Sequence, residues 1–220
     1  MIGTGRVSNN PKKISDDFRA EIPKHCRRTI EVSGLLAEYS GAHDIVIDPA
    51  TVRNLNHQKE WEYLYTYRKY NFLLMDGSLL AFKLRDPSNI SFTFLGCPYS
   101  FPEDMESQEI GIIMDQESVD NPAYVRFDYA PSSYRKAIHP AAHMHLYRES
   151  PVRLGVCSII GPLAFTQFIL RQFYPHQWND TKHLMPSSSP KTTRIPASEW
   201  AREDSEELHL HTRIRGIHCT

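Results

Sequence analysis

Alternating apolar and polar residues dominate the middle of the chain and predict β-strands. Ile90–Leu95 and Tyr124–Tyr129 both show the two-residue period of a strand with one buried face. Asp76-Gly77 is a strong hairpin signal, and Leu79–Leu84 is predicted to be the returning strand. The aromatic-rich segment Tyr63–Met75 is predicted to supply the strand that precedes this turn. Together these segments predict an antiparallel meander.

A four-residue period near the N-terminus predicts a helix. Phe18, Ile22, Cys26 and Ile30 recur at intervals of four residues and would form one apolar stripe. Pro23 lies inside this pattern and is expected to kink or split the helix, because proline removes a backbone donor.

A second helix is predicted at Leu163–Phe173, opened by Gly161-Pro162 and ended by Pro175. Apolar residues surround most of it, which indicates a buried helix. The predicted fold class is therefore α+β, a curved antiparallel β-sheet with both helices packed on it. Residues 1–185 are expected to form one domain, and residues 186–220 a Ser/Pro linker and a charged C-terminal tail.

Two further segments carry weaker strand patterns. Ile110–Met114 lies within an acidic stretch, residues 103–120, that has no lysine or arginine. This stretch is interpreted as a solvated loop around a short strand, with a metal site or a docking site for a basic partner as the alternative. Leu208–His211 alternates within the tail, where it could pack on the body or on a partner.

Composition narrows the functional classes. The chain has 220 residues and a formal net charge of −1, which does not favour general attraction to nucleic acid or to anionic membranes. Its four cysteines form no C-x-x-C pair, which argues against a zinc ribbon and a secreted disulfide framework. The first residues lack the apolar core of a signal peptide, and no apolar run approaches membrane-spanning length. We therefore expect a cytoplasmic protein.

Three histidines within seven residues form the candidate site. His143 and His145 would project from one face of a short strand, predicted at His143–Tyr147, with Met144 on the opposite face. His139 precedes Pro140 and is expected in the turn that enters the strand. Neutral imidazoles can bind zinc or another transition metal, whereas a pair that titrates near neutrality can serve as general acid and base. An H-x-H pair can also be no more than a polar sheet face.

The neighbours of these histidines favour a phosphate-bearing ligand. Residues 124–153 contain five cationic and two anionic side chains, a net charge of +3 in an otherwise near-neutral chain. Arginine can clamp phosphate through two parallel hydrogen bonds, and tyrosines can stack on bases. Arg126 and Asp128 would share a strand face and could pair, or Asp128 could orient an imidazole. The candidate substrate-binding residues are Arg126, Tyr134, Arg135, Lys136, Arg148 and Arg153.

Other chemical templates are absent from the sequence. It contains no P-loop, no dinucleotide-binding glycine motif, no nucleophile elbow and no H-E-x-x-H. Cys157 is interpreted as a buried, unreactive thiol because its neighbours are apolar. His209 and His211 form a second H-x-H pair near Cys219, so a metal shared between the two pairs is conceivable.

The order of these motifs resembles an uncharacterised bacterial family known only as a domain of unknown function. The resemblance covers roughly residues 60–175 and leaves out the tail after Pro186. The R-x-D…H-x-H arrangement is also similar to that of small toxins in toxin–antitoxin or phage-defence modules, which implies an RNA-cleaving or growth-arresting activity restrained by a partner. The matching segments are Val125-Arg126-Phe127-Asp128-Tyr129, His139-Pro140-x-x-His143-x-His145 and Phe173-Tyr174-Pro175.

The leading hypothesis is a metal-independent ribonuclease or related phosphodiester-processing protein that needs no cofactor. His143 and His145 would act as acid and base, His139 would support them, and Asp128 would orient an imidazole. An RNA or nucleotide ligand and a protein partner, either an antitoxin or a larger effector, are expected. Two alternatives stay open: a non-catalytic assembly subunit of a defence complex, and an enzyme with zinc or another transition metal on His139, His143 and His145.

Overall fold

The alternating segments pair in chain order into a seven-stranded antiparallel sheet, β1 to β7, which confirms the predicted α+β class and meander. The computed structural model describes residues 11–42, 45–86, 88–99, 122–135, 139–148, 152–156, 158–185 and 192–194. The strands are Leu36–Tyr39 (β1), Phe72–Leu74 (β2), Leu79–Asp86 (β3), Asn89–Leu95 (β4), Tyr124–Tyr129 (β5), Ala142–His145 (β6) and Leu154–Gly155 (β7). Ser158–Ile160 (β8) and Thr192–Arg194 (β9) pair separately.

Helices precede the sheet, cross between its early strands and follow it. They are Pro11–Glu21 (α1), Arg27–Val32 (α2), Pro49–Val52 (α3), His57–Thr66 (α4), Pro162–Phe173 (α5) and Pro175–Thr181 (α6). A π-helical turn, Ile22–Cys26, joins α1 to α2, and a 3₁₀ turn covers Pro131–Ser133. Within the described ranges, none of these helices has the length and apolar character that crossing a bilayer requires.

The predicted N-terminal helix is confirmed, and Pro23 changes its winding without ending it. The chain stays helical from Pro11 to Val32, and Pro23 lies inside the π-helical turn. Proline cannot donate to the carbonyl four residues earlier, and a wider π turn accommodates the lost hydrogen bond. The apolar stripe remains on one side, because Phe18, Ile22, Cys26 and Ile30 are all buried in the core.

The prediction of a strand over Tyr63–Met75 is wrong for its first half, which belongs to helix α4. Asn56 caps this helix, since its side-chain oxygen accepts a hydrogen bond of 2.9 Å from the Lys59 backbone amide. Trp61 and Leu64, three residues apart, are buried on one helical face. The aromatic residues that suggested a strand follow this helical period, and only Phe72–Leu74 pairs in the sheet.

A row of apolar side chains from adjacent strands forms the centre of the core. Phe82 pairs in register with Phe92, and Phe92 pairs with Phe127, with ring centroids 5.2 and 5.6 Å apart. Met144 of β6 continues this row, and Phe165 of α5 packs on Phe92 at 5.8 Å. The predicted burial of the Leu163–Phe173 helix is thereby confirmed over most of its length. Each fully buried side chain of this size contributes about 1.5–3 kcal/mol through removal from water.

The opposite face of the sheet is apolar at one end and polar further along. Leu79, Leu95 and Tyr124 are in register on β3, β4 and β5, and helix α4 covers this row with Trp61 and Leu64. The next rows on the same face carry polar side chains instead, and they form the candidate site. The predicted strand at Ile110–Met114, the linker and the segment Leu208–His211 lie outside the described residues.

Phe92 provides a direct test of the core row. Phe92→Ala is expected to lower the free energy of unfolding by about 3–5 kcal/mol, because a large buried ring is replaced by a cavity. Tyr147→Ala is the matched control, since Tyr147 is 64% exposed and its loss should change stability by less than about 0.5 kcal/mol. Urea denaturation followed by circular dichroism measures both values. Equal stabilities of the two variants would contradict the described packing.

Candidate functional site

Strand register brings the predicted site residues together in two rows on the polar face. Asp128 of β5 is paired with His143 of β6 and with Ser91 of β4. The neighbouring row pairs Arg126 with His145. Because side chains two residues apart on a strand share a face, the two rows lie side by side. His143 and His145 project to the same side, as predicted, with ring centroids 4.9 Å apart.

Asp128 is the point on which the other side chains of the site converge. Its Oδ1 accepts a hydrogen bond of 2.7 Å from the Ser91 hydroxyl, and its Oδ2 accepts one of 2.8 Å from Arg126 Nε. The Nε2 atoms of His143 and His145 lie 3.7 and 3.5 Å from the same Oδ2. The predicted pairing of Arg126 with Asp128 is therefore present, and both imidazoles face this carboxylate.

The surroundings of Asp128 keep it ionised at neutral pH. Burial raises the pKa of this carboxyl group, but contacts with His145, Arg126 and Ser91 lower it by more. The net result is a pKa well below the usual range of an aspartate. A carboxylate that is ionised while partly buried needs such partners, since an unpaired charge in this environment is costly.

His143 is a neutral imidazole with a defined tautomer. Its Nδ1 lies 2.9 Å from the Pro140 carbonyl oxygen, which can only accept, so Nδ1 carries the proton. Burial lowers the pKa of His143 to about 4 and outweighs the opposing effect of Asp128. At neutral pH the Nε2 atom therefore presents a lone pair toward the carboxylate.

His139 lies at the edge of this group, where its backbone pairs with that of Arg135 in an isolated bridge. Its ring contacts the His143 ring, with centroids 4.7 Å apart and nearly perpendicular planes. Burial and the nearby charge of Arg153 lower the pKa of His139. The side chain is half-buried, so it is more accessible than either of the other two imidazoles.

A pocket of about 320 Å³ opens over these rows. Lys83, Ser91 and Thr93, which were not among the predicted site residues, contribute to its lining. Alternation along β3 and β4 indicates that all three share one face of the sheet, but only the pairing of β4 with β5 brings that face next to Asp128. The pocket is lined by Ile45, Ile47, Val52, Glu60, Ala81, Lys83, Asn89, Ser91, Thr93, Arg126, Asp128, Ala130, Ser133, His139, His143, His145 and Arg153.

The predicted phosphate-binding residues separate into two groups. Arg126 and Arg153 line the pocket. Tyr134 and Arg135 lie next to it, in the segment that leads to His139, and Lys136 is outside the described residues. Arg148 is not part of the lining, but it forms an ion pair with Glu60 and donates a hydrogen bond of 2.6 Å to the Val52 carbonyl, and both of these partners line the pocket.

The residues that could bind one metal ion together are not the three histidines that the sequence suggested. Within the described part of the chain, the group that converges is Asp128, His143 and His145, whose donor atoms all lie within 4.8 Å of one another. His139 contacts His143 through its ring but is not a member of this group. Sequence spacing alone suggested three histidines, whereas cross-strand register substitutes a carboxylate for one of them.

The Glu60–Arg148 ion pair joins helix α4 to the segment that follows β6, and its removal should lower the stability of the fold. Both side chains are largely buried, so Glu60→Ala is expected to reduce the free energy of unfolding by about 3–5 kcal/mol, as loss of one partner leaves a buried charge. Glu31→Ala removes solvent-accessible pairs with Arg27 and Arg28 and should cost less than about 1 kcal/mol. Similar urea midpoints for the two variants would contradict this difference.

Comparison with known proteins identifies the family of this chain. Neither the search of curated proteins nor the search of solved structures finds a match. The model of a family described as an uncharacterized conserved protein, DUF2290, matches residues 33–212. This range is wider than the resemblance inferred from the motifs, and it includes residues after Pro186 that the resemblance left out. The chain, with its paired R-x-D and H-x-H strands, therefore belongs to the DUF2290 family of uncharacterised conserved proteins.

Proposed function

We propose that this protein processes phosphodiester bonds in the pocket over β3–β6, with RNA as its first candidate substrate class. The observation that carries the proposal is the joint placement of three imidazoles, two carboxylates and three cationic side chains around a single pocket of about 320 Å³. An enzyme that cleaves a phosphodiester must hold an anion and move protons or activate a nucleophile beside it. This pocket contains side chains for both tasks.

The charges that line the pocket favour an anionic ligand. Lys83, Arg126 and Arg153 are cationic, whereas Asp128 and Glu60 are the carboxylates of the lining. Glu60 is neutralised by Arg148 immediately outside, so positive charge is in excess. Guanidinium groups bind phosphate oxygens through charge-assisted hydrogen bonds. Arg126 suits this role because Asp128 fixes its orientation while about a third of its side chain remains exposed.

The imidazoles supply the reactive groups. Two chemistries can use them: proton transfer by imidazoles, as in metal-independent RNA cleavage, and activation of a nucleophile by a metal ion that they bind. For proton transfer from a 2′-hydroxyl, His139 is the most accessible ring. His143 and His145 are more buried, and both face Asp128. Because the His143 ring contacts the His139 ring, with centroids 4.7 Å apart, and also approaches Asp128, we place His143 in the reactive centre in either chemistry.

Replacement of His143 tests this proposal. His143→Ala is expected to lower the rate of cleavage of a fluorophore-labelled single-stranded RNA by about 10²–10⁴-fold, the range typical of a lost acid–base group. His183→Ala, which removes an exposed histidine at the end of α6, should keep the wild-type rate. Labelled single-stranded DNA and a bis-aryl phosphate ester, assayed in parallel, separate ribonuclease activity from general phosphodiesterase activity. A wild-type rate in His143→Ala, or no cleavage of any substrate, would refute the proposal.

A second candidate function is a non-catalytic subunit of a toxin or phage-defence complex. Exposed apolar side chains favour it, since Leu146, Tyr147 and Val152 expose apolar surface and are next in sequence to the pocket-lining His145 and Arg153. A protein partner, either an antitoxin or a larger effector, would cover this surface. The segment Leu208–His211, suggested by the sequence as a partner contact, is outside the described residues.

Induced expression in a bacterial host separates the two candidates. If the pocket is catalytic and growth-arresting, the wild type should arrest growth and His143→Ala should not, because the reactive centre is lost. Leu146→Ser with Tyr147→Ser should leave the arrest intact. The reverse pattern, in which His143→Ala still arrests growth and the surface variant does not, would support partner binding and contradict the catalytic candidate. Colony counts and optical density measure both outcomes.

A further inference from the structure

We propose that Asp128, His143 and His145 bind one divalent transition-metal ion of the zinc class, through one carboxylate oxygen and two Nε2 atoms. The inference goes beyond the proposed function, because metal binding can be measured without any substrate. It starts from the arrangement in which both imidazole Nε2 atoms approach Asp128 Oδ2, at 3.7 and 3.5 Å.

For His143, hydrogen bonding does not account for the approach of Nε2 to Asp128. His143 uses its Nδ1 proton on the Pro140 carbonyl, so a lone pair on Nε2 faces a negatively charged oxygen. Two electron-rich atoms in this position repel each other unless a cation lies between them.

His145 gives a second, independent indication. Its side chain is more than nine-tenths buried, and its Nε2 has no hydrogen-bond partner among the residues that the structure describes. Buried polar atoms are nearly always satisfied, so an exception calls for an explanation such as a bound ion. This atom points at the same oxygen as His143 Nε2, and all three donor atoms lie within 4.8 Å of one another.

The separations fit a small transition-metal ion. Zinc binds nitrogen and oxygen ligands at about 2.0–2.2 Å, which places tetrahedral ligand atoms roughly 3.3–3.6 Å apart. The separation of 3.5 Å from His145 Nε2 to Asp128 Oδ2 lies within this range, and that of 3.7 Å from His143 Nε2 lies just above it. Two imidazoles with one carboxylate are borderline ligands that suit zinc, iron or cobalt better than magnesium or calcium, which prefer oxygen.

The neighbouring hydrogen bonds would hold the ligands in place. The Pro140 carbonyl fixes the His143 tautomer, and Ser91 donates to the second oxygen of Asp128 at 2.7 Å. In metal-binding proteins, hydrogen bonds of this kind to the ligating residues hold those residues in the orientation that metal binding needs. Arg126 donates a hydrogen bond to Oδ2, so its positive charge repels a metal ion at the same oxygen and should lower the metal affinity. The ion would bind the lone pair of Oδ2 that Arg126 leaves free. Three protein ligands leave coordination positions open, as catalytic zinc sites do, and all three residues line the pocket.

Metal titration tests the inference on the full chain, produced without a polyhistidine tag and treated with a chelator. Addition of Zn²⁺ in competition with a chromophoric chelator should reveal one tightly bound equivalent. His145→Gln and Asp128→Asn should each weaken binding by more than the ~10–100-fold that loss of an outer-shell contact costs. His183→Ala should bind as the wild type does, and Mg²⁺ should not compete.

The tail needs its own control, because His209, His211 and Cys219 are also possible ligands. The double variant His209→Ala, His211→Ala should retain the tightly bound equivalent. Thermal melts of every variant verify folding. Co²⁺ absorption spectra test the ligand set on the wild-type protein without any variant. The bound Co²⁺ should show visible ligand-field bands and no thiolate charge-transfer band, because the proposed ligands include no cysteine.

The metal titration and the cleavage assay can fail independently of each other. No bound equivalent, binding lost only in the tail variant, or a thiolate band with Co²⁺ would each overturn the metal site. Tight binding at Asp128, His143 and His145 without cleavage of any phosphodiester would uphold the site and refute the proposed function. Cleavage that persists in chelator, by a protein that binds no metal, would uphold the function and refute the site.

Discussion

The register of strands β3 to β6 is the constraint on which both the core and the site depend. The row formed by Phe82, Phe92, Phe127 and Met144 occupies the face that α1 and α5 cover. Because side chains alternate, the residues between them must project to the other face, where the pocket is. A slip of one residue would expose the aromatic row and bury charged groups, so hydrophobic burial fixes the positions of the reactive side chains.

Asp128 shows how this arrangement becomes chemistry. Its carboxylate interacts with a hydroxyl, a guanidinium and two imidazoles that come from three different strands. Such a partly buried polar cluster is a poor means of stabilising a sheet, since desolvation offsets most of the attraction. An apolar row would be the more stabilising solution, and the same face uses one at the end covered by α4. Concentration of polar groups at one place therefore points to binding or catalysis.

Local patterns predicted much of this structure, and long-range pairing explains the rest. Alternation in Tyr124–Tyr129 and the H-x-H spacing correctly predicted which side chains share a face, because a period of two is a local property. The contributions of Lys83 and Ser91, and the substitution of Asp128 for His139 in the converging group, depend on which strands pair and in what register. Helix α4 was missed because its aromatic residues also suit strands, while a cap at Asn56 and the burial of Trp61 and Leu64 favour the helix.

The central claim is that two imidazoles and Asp128 form one centre that faces the pocket, and anomalous diffraction from zinc-soaked crystals tests it most directly. A single anomalous peak about 2.0–2.2 Å from His143 Nε2, His145 Nε2 and a carboxylate oxygen of Asp128 is the expected result. Density that places these side chains on different faces of the sheet, or a zinc peak only elsewhere in the molecule, would contradict the account.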